Sequence, residues 1–373
     1  MSEYQYYEWQ TLGRTLTPEE RAAVSKLSSH MDVTSTRAVV TYSWGDFKHD
    51  PIQVLARYFD AFLYLANWGS KRLAFRFPKS LLDARQIEPY LWEYYIELQP
   101  IGDVLILDIS LDNDEGGEWI EGEGWLSSLS RLRDDILEGD YRALYLAWLR
   151  AAELQDADDD EPEPPVPPGL TGADGRPSLP PSLVSFIKFL DLDEYLIQAA
   201  AEASPPRQPT PALPLEEAIA RLSPAERDAF LVRLARGEPH LSLALNRRLQ
   251  ELAGVAGPAA ATPQRTWGQL RVTAIRLRRV AKQRAAEAAE ARRIAELEAF
   301  VPREAEAWQE VVAFIEEKKP ASYDKAVALL CRLRDLAGYQ GRMADFQARV
   351  ADLQARYANR PALRERLQRA RLL

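Results

Sequence analysis

The seven residues Trp44-Gly45-Asp46-Phe47-Lys48-His49-Asp50 hold the densest polar group between apolar stretches of this sequence. An acid, an imidazole and an ammonium share one loop there, and the loop leads straight into a helix start at Asp50-Pro51. A helix N-terminus presents unpaired backbone N–H groups and a positive dipole end, so it attracts anions, and Lys48 and His49 would add charge. Trp44, Asp46, Lys48 and His49 are therefore the candidate ligand-binding residues. A plainer account needs no ligand: Asp50 caps the helix, Gly45 turns the chain, and Trp44 and Phe47 plug the core. The plainer account is preferred.

A second group has metal-ligand spacing. Asp112-Asn113-Asp114-Glu115-Gly116-Gly117, followed by Glu123, falls on positions 1, 3, 6 and 12 of a calcium-binding helix–loop–helix. Asp112, Asp114 and Glu123 would be its ligands, but Gly116 stands where a fifth-position oxygen is needed. The residues before it, VLILDISL, read as a strand and not as the required helix, so a solvated strand-to-helix loop is expected. Elsewhere His30, His49, His240 and Cys331 are too scattered to hold zinc or an iron–sulfur cluster. No G-x-S-x-G, P-loop or G-x-G-x-x-G occurs, so no catalytic residue and no cofactor is assigned.

The sharpest basic cluster is Arg276, Arg278, Arg279, Lys282 and Arg284. On a helix, 276, 279 and 282 face one way, and such a row could track phosphates. Aromatic residues for base stacking are missing beside it. Glutamates follow at 287, 290, 296 and 298, so the same helix could bridge to acidic surface within the chain instead.

The elements that must position these groups follow from charge and punctuation. Residues 1–170 carry 15 Lys+Arg against 31 Asp+Glu, a balance of −16, whereas 266–373 carry 22 against 14, a balance of +8. Two partners of opposite sign, or docking of the two parts on each other, would both account for that asymmetry. The opening MSEYQYYEWQ lacks a cationic stretch followed by an apolar run, and no stretch approaches the roughly 20 apolar residues that cross a bilayer. With a single cysteine as well, no membrane contact and a cytoplasmic location are expected. Acidic, proline-rich and alanine-rich seams then divide the chain. They mark a mixed α/β domain over 1–154, a linker or surface-hugging strap over 155–181, a small helical region over 182–255, a linker over 256–265, and a long basic helix plus bundle over 266–373.

Within 1–154, Tyr4 to Leu12, Arg37 to Trp44, Arg72 to Pro78, Tyr94 to Gln99 and Val104 to Leu111 read as strands. Thr17-Pro18-Glu19-Glu20 is a capping box opening a helix over 18–28. Ile52, Leu55, Phe59, Phe62 and Ala66 step at helical spacing, predicting one helix through 66. Two further helices are expected near 125–138 and 140–153. After the first seam only helices are expected, near 183–190 and 193–203, from the capping box Ser223-Pro224-Ala225-Glu226, over 240–252, and over 266–300. Four more follow. Trp308, Val311 and Ile315 line the first of them. Ala326, Leu329, Leu330, Leu333 and Leu336 line the second, which Gly338 should end. Met343, Phe346, Val350, Leu353 and Tyr357 line the third, and Leu363 and Leu367 the fourth. The fold class is thus α+β followed by an all-α region with a long helix and a short, tetratricopeptide-like antiparallel stack.

The block SWGDFKHDP at 43–51, with YFDAFLYLANWG at 58–69, RLAFRFP at 72–78, GDYRALYLAWL at 139–149 and EPPVPPGL at 163–170, resembles a family of uncharacterised bacterial proteins over most of 1–250. That resemblance implies no activity, ligand or catalytic residue. SYDKAVALLCRLRDLA at 322–337 with RPALRERLQRARLL at 360–373 is similar to the helical tail of some bacterial proteins carrying a SWIM-type zinc finger. The finger's cysteine and histidine ligands are absent here, so the likeness implies a helical interaction tail and no zinc. The expected function is a non-enzymatic adaptor that binds a protein partner through its helical C-terminal region. Nucleic-acid association through Arg276–Arg284 and ligand binding or catalysis at the 44–50 loop are the alternatives.

Overall fold

A computed structural model describes residues 3–111, 121–170, 179–206, 215–238, 241–252 and 265–372. The chain forms two compact units, Met1–Arg278 and Arg279–Leu373. The first is α+β and the second all-helical.

Seven strands build one sheet in the first unit: β1 (Gln5–Gln10), β2 (Asp32–Val33), β3 (Arg37–Tyr42), β4 (Ala61–Ala66), β5 (Lys71–Pro78), β6 (Ile96–Ile101) and β7 (Val104–Leu111). Their order is β2-β3-β1-β4-β5-β7-β6, and every pairing is antiparallel. Side chains alternate across a strand, so the two faces of the sheet feed two cores. On one face Tyr7, Trp9, Ala38, Val40, Phe62 and Ala74 pack with Val24 of α1 (Pro18–Ser25) and with Ile52 and Leu55 of α2 (Pro51–Tyr58). On the other face Leu63, Leu73, Phe75, Phe77, Leu107 and Ile109 belong to the larger core. That core is closed, after the one-turn α3 (Ala84–Ile87), by α4 (Trp125–Leu129), α5 (Arg131–Leu137), α6 (Arg142–Leu154), α7 (Pro181–Leu190) and α8 (Glu194–Ala201). All of Arg142 to Leu149 is buried, which makes α6 the central helix of that layer.

The helix predicted through residue 66 is corrected. It stops at Tyr58, and Ala61–Ala66 is β4, hydrogen-bonded between β1 and β5. AFLYLA is covered on both faces, so its apolar residues run on without alternating, and a short run of that kind fits helical spacing equally well. The short elements β2 and α3, and α9 (Leu215–Ala220), were not foreseen.

Of the two readings of 155–181, linker or strap, the described part to Leu170 is a strap packed on the body. Ala157, Glu163, Pro164, Pro167 and Leu170 are buried, and Tyr90 Oη donates to Pro165 O at 2.8 Å. Pro162 forms an antiparallel bridge with Thr266. Glu163 N donates to Arg265 O at 3.1 Å and Trp267 N to Glu161 O at 2.8 Å. The strap carbonyls therefore accept from the start of the long helix, where N–H groups lack intrahelical partners.

Three small helices share a minor core: α9, α10 (Pro224–Ala235) and α11 (Leu241–Leu252), with Ala218, Leu222 and Leu249 buried and Phe230 of α10 packed against them. The long helix α12 runs from Trp267 to Phe300, 34 residues or about 50 Å. Trp267, Leu270 and Ala274 are in the core of the first unit, and Leu297 and Phe300 in that of the second. The second unit continues with α13 (Glu304–Glu316), α14 (Pro320–Tyr339), α15 (Met343–Arg356) and α16 (Pro361–Arg369) around Val311, Ile315, Leu330, Leu333, Val350 and Leu363. Gly338 does not end α14; the helix passes through it, and Gly341, at φ +71°, takes the left-handed position beyond the end. Met343 is not on the buried stripe either, being 36% exposed. No helix among the described residues is long and apolar enough to cross a membrane.

Candidate functional site

The 44–50 loop is held from beneath by a buried glutamine. Gln5 Nε2 donates to Gly45 O at 3.0 Å and to Asp46 Oδ1 at 2.8 Å, while its Oε1 accepts from Tyr7 Oη at 2.7 Å and Tyr64 Oη at 3.2 Å. Burial raises the Tyr7 phenol above its ordinary value, which keeps it protonated as the donor. Asp50 Oδ1 accepts from Ile52 N at 2.8 Å as the N-cap of α2, and Trp9 Nε1 donates to Pro51 O at 3.1 Å. Phe47 is buried with its ring 5.2 Å from that of Trp9. Trp44 differs from the expected core plug: it is 76% exposed. Lys48 and His49 are exposed too. The loop's acids thus serve as a hydrogen-bond anchor and a helix cap.

Of the calcium-type residues, Asp112 and Asp114 lie outside the described residues, and Glu123 is exposed just before α4. Among the described residues no three His, Cys, Asp or Glu side chains gather as a metal site.

The basic row on α12 is divided. Arg276 Nη2 donates to the Glu202 carboxylate at 3.1 and 3.2 Å, and Arg278 pairs with Asp193 and lies over the Tyr195 ring. One turn earlier Arg271 pairs with Asp159 at 2.7 Å. Arg279, Lys282 and Arg284 are exposed, but Arg284 sits about 140° around the helix from Arg279 at 3.6 residues per turn. They form no single stripe.

The second unit holds a groove of 680 Å³ between the start of α13 and α15. Trp308, Val312, Val301, Pro302, Ala305 and Gln309 line it. The Arg349 guanidinium of α15 lies 4.2 Å over the Trp308 ring, within cation–π range. Glu304, the carboxylate of the groove lining, is paired with Arg342 at 2.6 Å. Cations also cover Phe300 (Arg332, 4.4 Å) and Tyr357 (Arg360, 4.6 Å) in this unit. Trp308 was read from sequence only as a core position, and Arg349 belongs to no motif. A single arginine beside an apolar stripe is too common to signal a groove, because only the packing of α13 on α15 brings it over the indole.

Compared with protein-family models, with curated proteins and with solved structures, the chain matches none of them.

Proposed function

We propose that this chain is a non-enzymatic adaptor whose C-terminal helical unit binds a protein partner in the groove beside Trp308. The arginine-covered indole in a groove of mixed apolar and polar lining carries this reading. Tryptophan and arginine dominate binding energy at protein interfaces, and an apolar groove on a helical scaffold is a common seat for a partner segment. The alternatives have less support. Nucleic-acid binding would have to do without Arg276 and Arg278, which already face Glu202 and Asp193. Ligand binding at the 44–50 loop would have to work with Asp46 and Asp50 already engaged. The proposed setting is the cytoplasm, where Cys331 would remain a thiol.

A photo-crosslinking residue in place of Gln309, in cells expressing the chain, tests the proposal. A discrete protein adduct is expected, lost when Ala305→Glu puts a longer, charged side chain into the groove lining and absent when the crosslinker replaces Arg369 on α16. An adduct that survives Ala305→Glu, or none at Gln309, sinks the reading.

A further inference from the structure

We infer that the groove beside Trp308 selects a partner segment that places a carboxylate next to an apolar side chain, an inference that rests on the docking role just proposed. Three observations carry it. First, Arg349 is exposed, and among the described residues no carboxylate lies within ion-pair distance of it, although Asp345 and Asp352 are one turn away on either side. Its neighbours differ: Arg342 holds Glu304 at 2.6 Å, Arg303 holds Glu306 at 3.2 Å, and Arg356 reaches Glu316 at 3.5 Å. Second, the groove's own carboxylate, Glu304, is neutralised by Arg342, so the uncompensated charge along the lining is positive. Third, Val301, Pro302, Ala305 and Val312 give the rest of the lining an apolar part, with Gln309 its one uncharged polar side chain.

A guanidinium held over an indole still has N–H groups to donate outward. A carboxylate accepts two of those in parallel, a geometry that a lone ammonium would not offer. A ligand that brought a lysine would meet like charge, and an uncharged one would leave the fork unanswered. A nucleic-acid phosphate would reach a single unpaired arginine, without the several phosphate contacts that give such complexes their affinity. A peptide segment with one acidic residue flanked by aliphatic ones satisfies all of these surfaces together.

The test selects a phage-displayed random dodecapeptide library on the full-length chain. Recovered peptides should pair Asp or Glu with Leu, Ile, Val or Phe. The best of them, synthesised, should lose about tenfold in affinity on Arg349→Ala and more on Arg349→Glu, with Arg349→Lys recovering part. Changing its acid to the amide should cost as much on the native chain and almost nothing on Arg349→Ala. Circular dichroism of each variant guards against misfolding, which an exposed position should not cause. Recovered peptides that carry no acid, or that bind Arg349→Ala undiminished, overturn the inference. If Ala305→Glu nevertheless blocks those peptides, the docking role stands; peptides indifferent to both substitutions remove both. Oligo-dT binding that depends on Arg349 and outcompetes the peptides would overturn the inference in favour of nucleic acid.

Discussion

Glu163 and Arg265, 102 residues apart in sequence, meet as an ion pair in the interior of the first unit: Nε donates to Oε2 at 2.5 Å and Nη2 to Oε1 at 2.9 Å. Tyr145 of α6 donates to the same carboxylate, and Arg265 Nη1 donates to Ala199 O at 2.8 Å. The pair sews the proline-rich strap and the start of α12 onto the helical layer. Its carboxylate side chain is only 2% exposed and its guanidinium 15%.

Breaking one half of such a pair leaves a buried charge without its counterpart. Arg265→Met should therefore destabilise the first unit by about 3–5 kcal/mol, and adding Glu163→Gln should restore a large part. Eight of the nine tryptophans precede Arg279, so denaturant titration followed by tryptophan fluorescence reports mainly on this unit. An unshifted midpoint for Arg265→Met would falsify the account of the strap as a packed element.

Alkaline pH should act on the same layer. Burial, then the adjacent Glu163 charge, holds the Tyr145 phenol well above its ordinary value, and burial likewise raises Tyr6 and Tyr90. In the unfolded chain these groups ionise near pH 10. Below that pH both states are protonated and the stabilisation is fully present. Above it the unfolded state releases protons that the folded state retains, so stability falls as pH rises toward the folded values. Thermal melts should hold steady up to about pH 9 and drop beyond 10, with phenolate absorbance from part of the tyrosines appearing only on unfolding. Complete phenolate formation in the folded protein would contradict this.

Local chemistry was legible in the sequence. Both capping boxes form as read: Thr17 Oγ1 accepts from Glu20 N at 3.2 Å and Ser223 Oγ from Glu226 N at 3.3 Å. Each depends on residues three apart, and so does not depend on the rest of the fold. What was misread or left open depended on distant residues. Ala61–Ala66 became a strand because β1 and β5 lie on either side of it. The strap was packed because Arg265 comes back to Glu163. The groove residues share that property, since Trp308 and Arg349 stand on different helices and neither announces the other.

Gly268 offers a sign test of the strap's closeness. In an exposed helix, Gly→Ala adds about 1 kcal/mol of stability. Here a Cβ would lie 2.8 Å from both the carbonyl oxygen and the Cβ of Asp159, whose carbonyl already accepts Gly268 N at 3.0 Å. Backbone cannot give way as a flexible side chain would, so Gly268→Ala should destabilise by about 1–3 kcal/mol. A gain in the unfolding midpoint would mean the strap stands further from α12 than described.

The 44–50 loop allows two substitutions to be set against each other. Gln5→Leu keeps the volume but removes the group that joins Gly45 O and Asp46 to Tyr7, and it leaves the Tyr7 hydroxyl without its acceptor beneath the loop. The expected cost is about 1–3 kcal/mol, the usual penalty for stranding buried polar groups. Trp44→Ser removes the larger side chain, yet that ring is 76% exposed, so its effect should stay within about 0.5 kcal/mol. Size and stability effect are thus expected to run in opposite order, because the sheet grips the loop through hydrogen bonds from Gln5 and the buried Phe47 ring. Equal unfolding midpoints for the two variants would show that the loop is not anchored through Gln5.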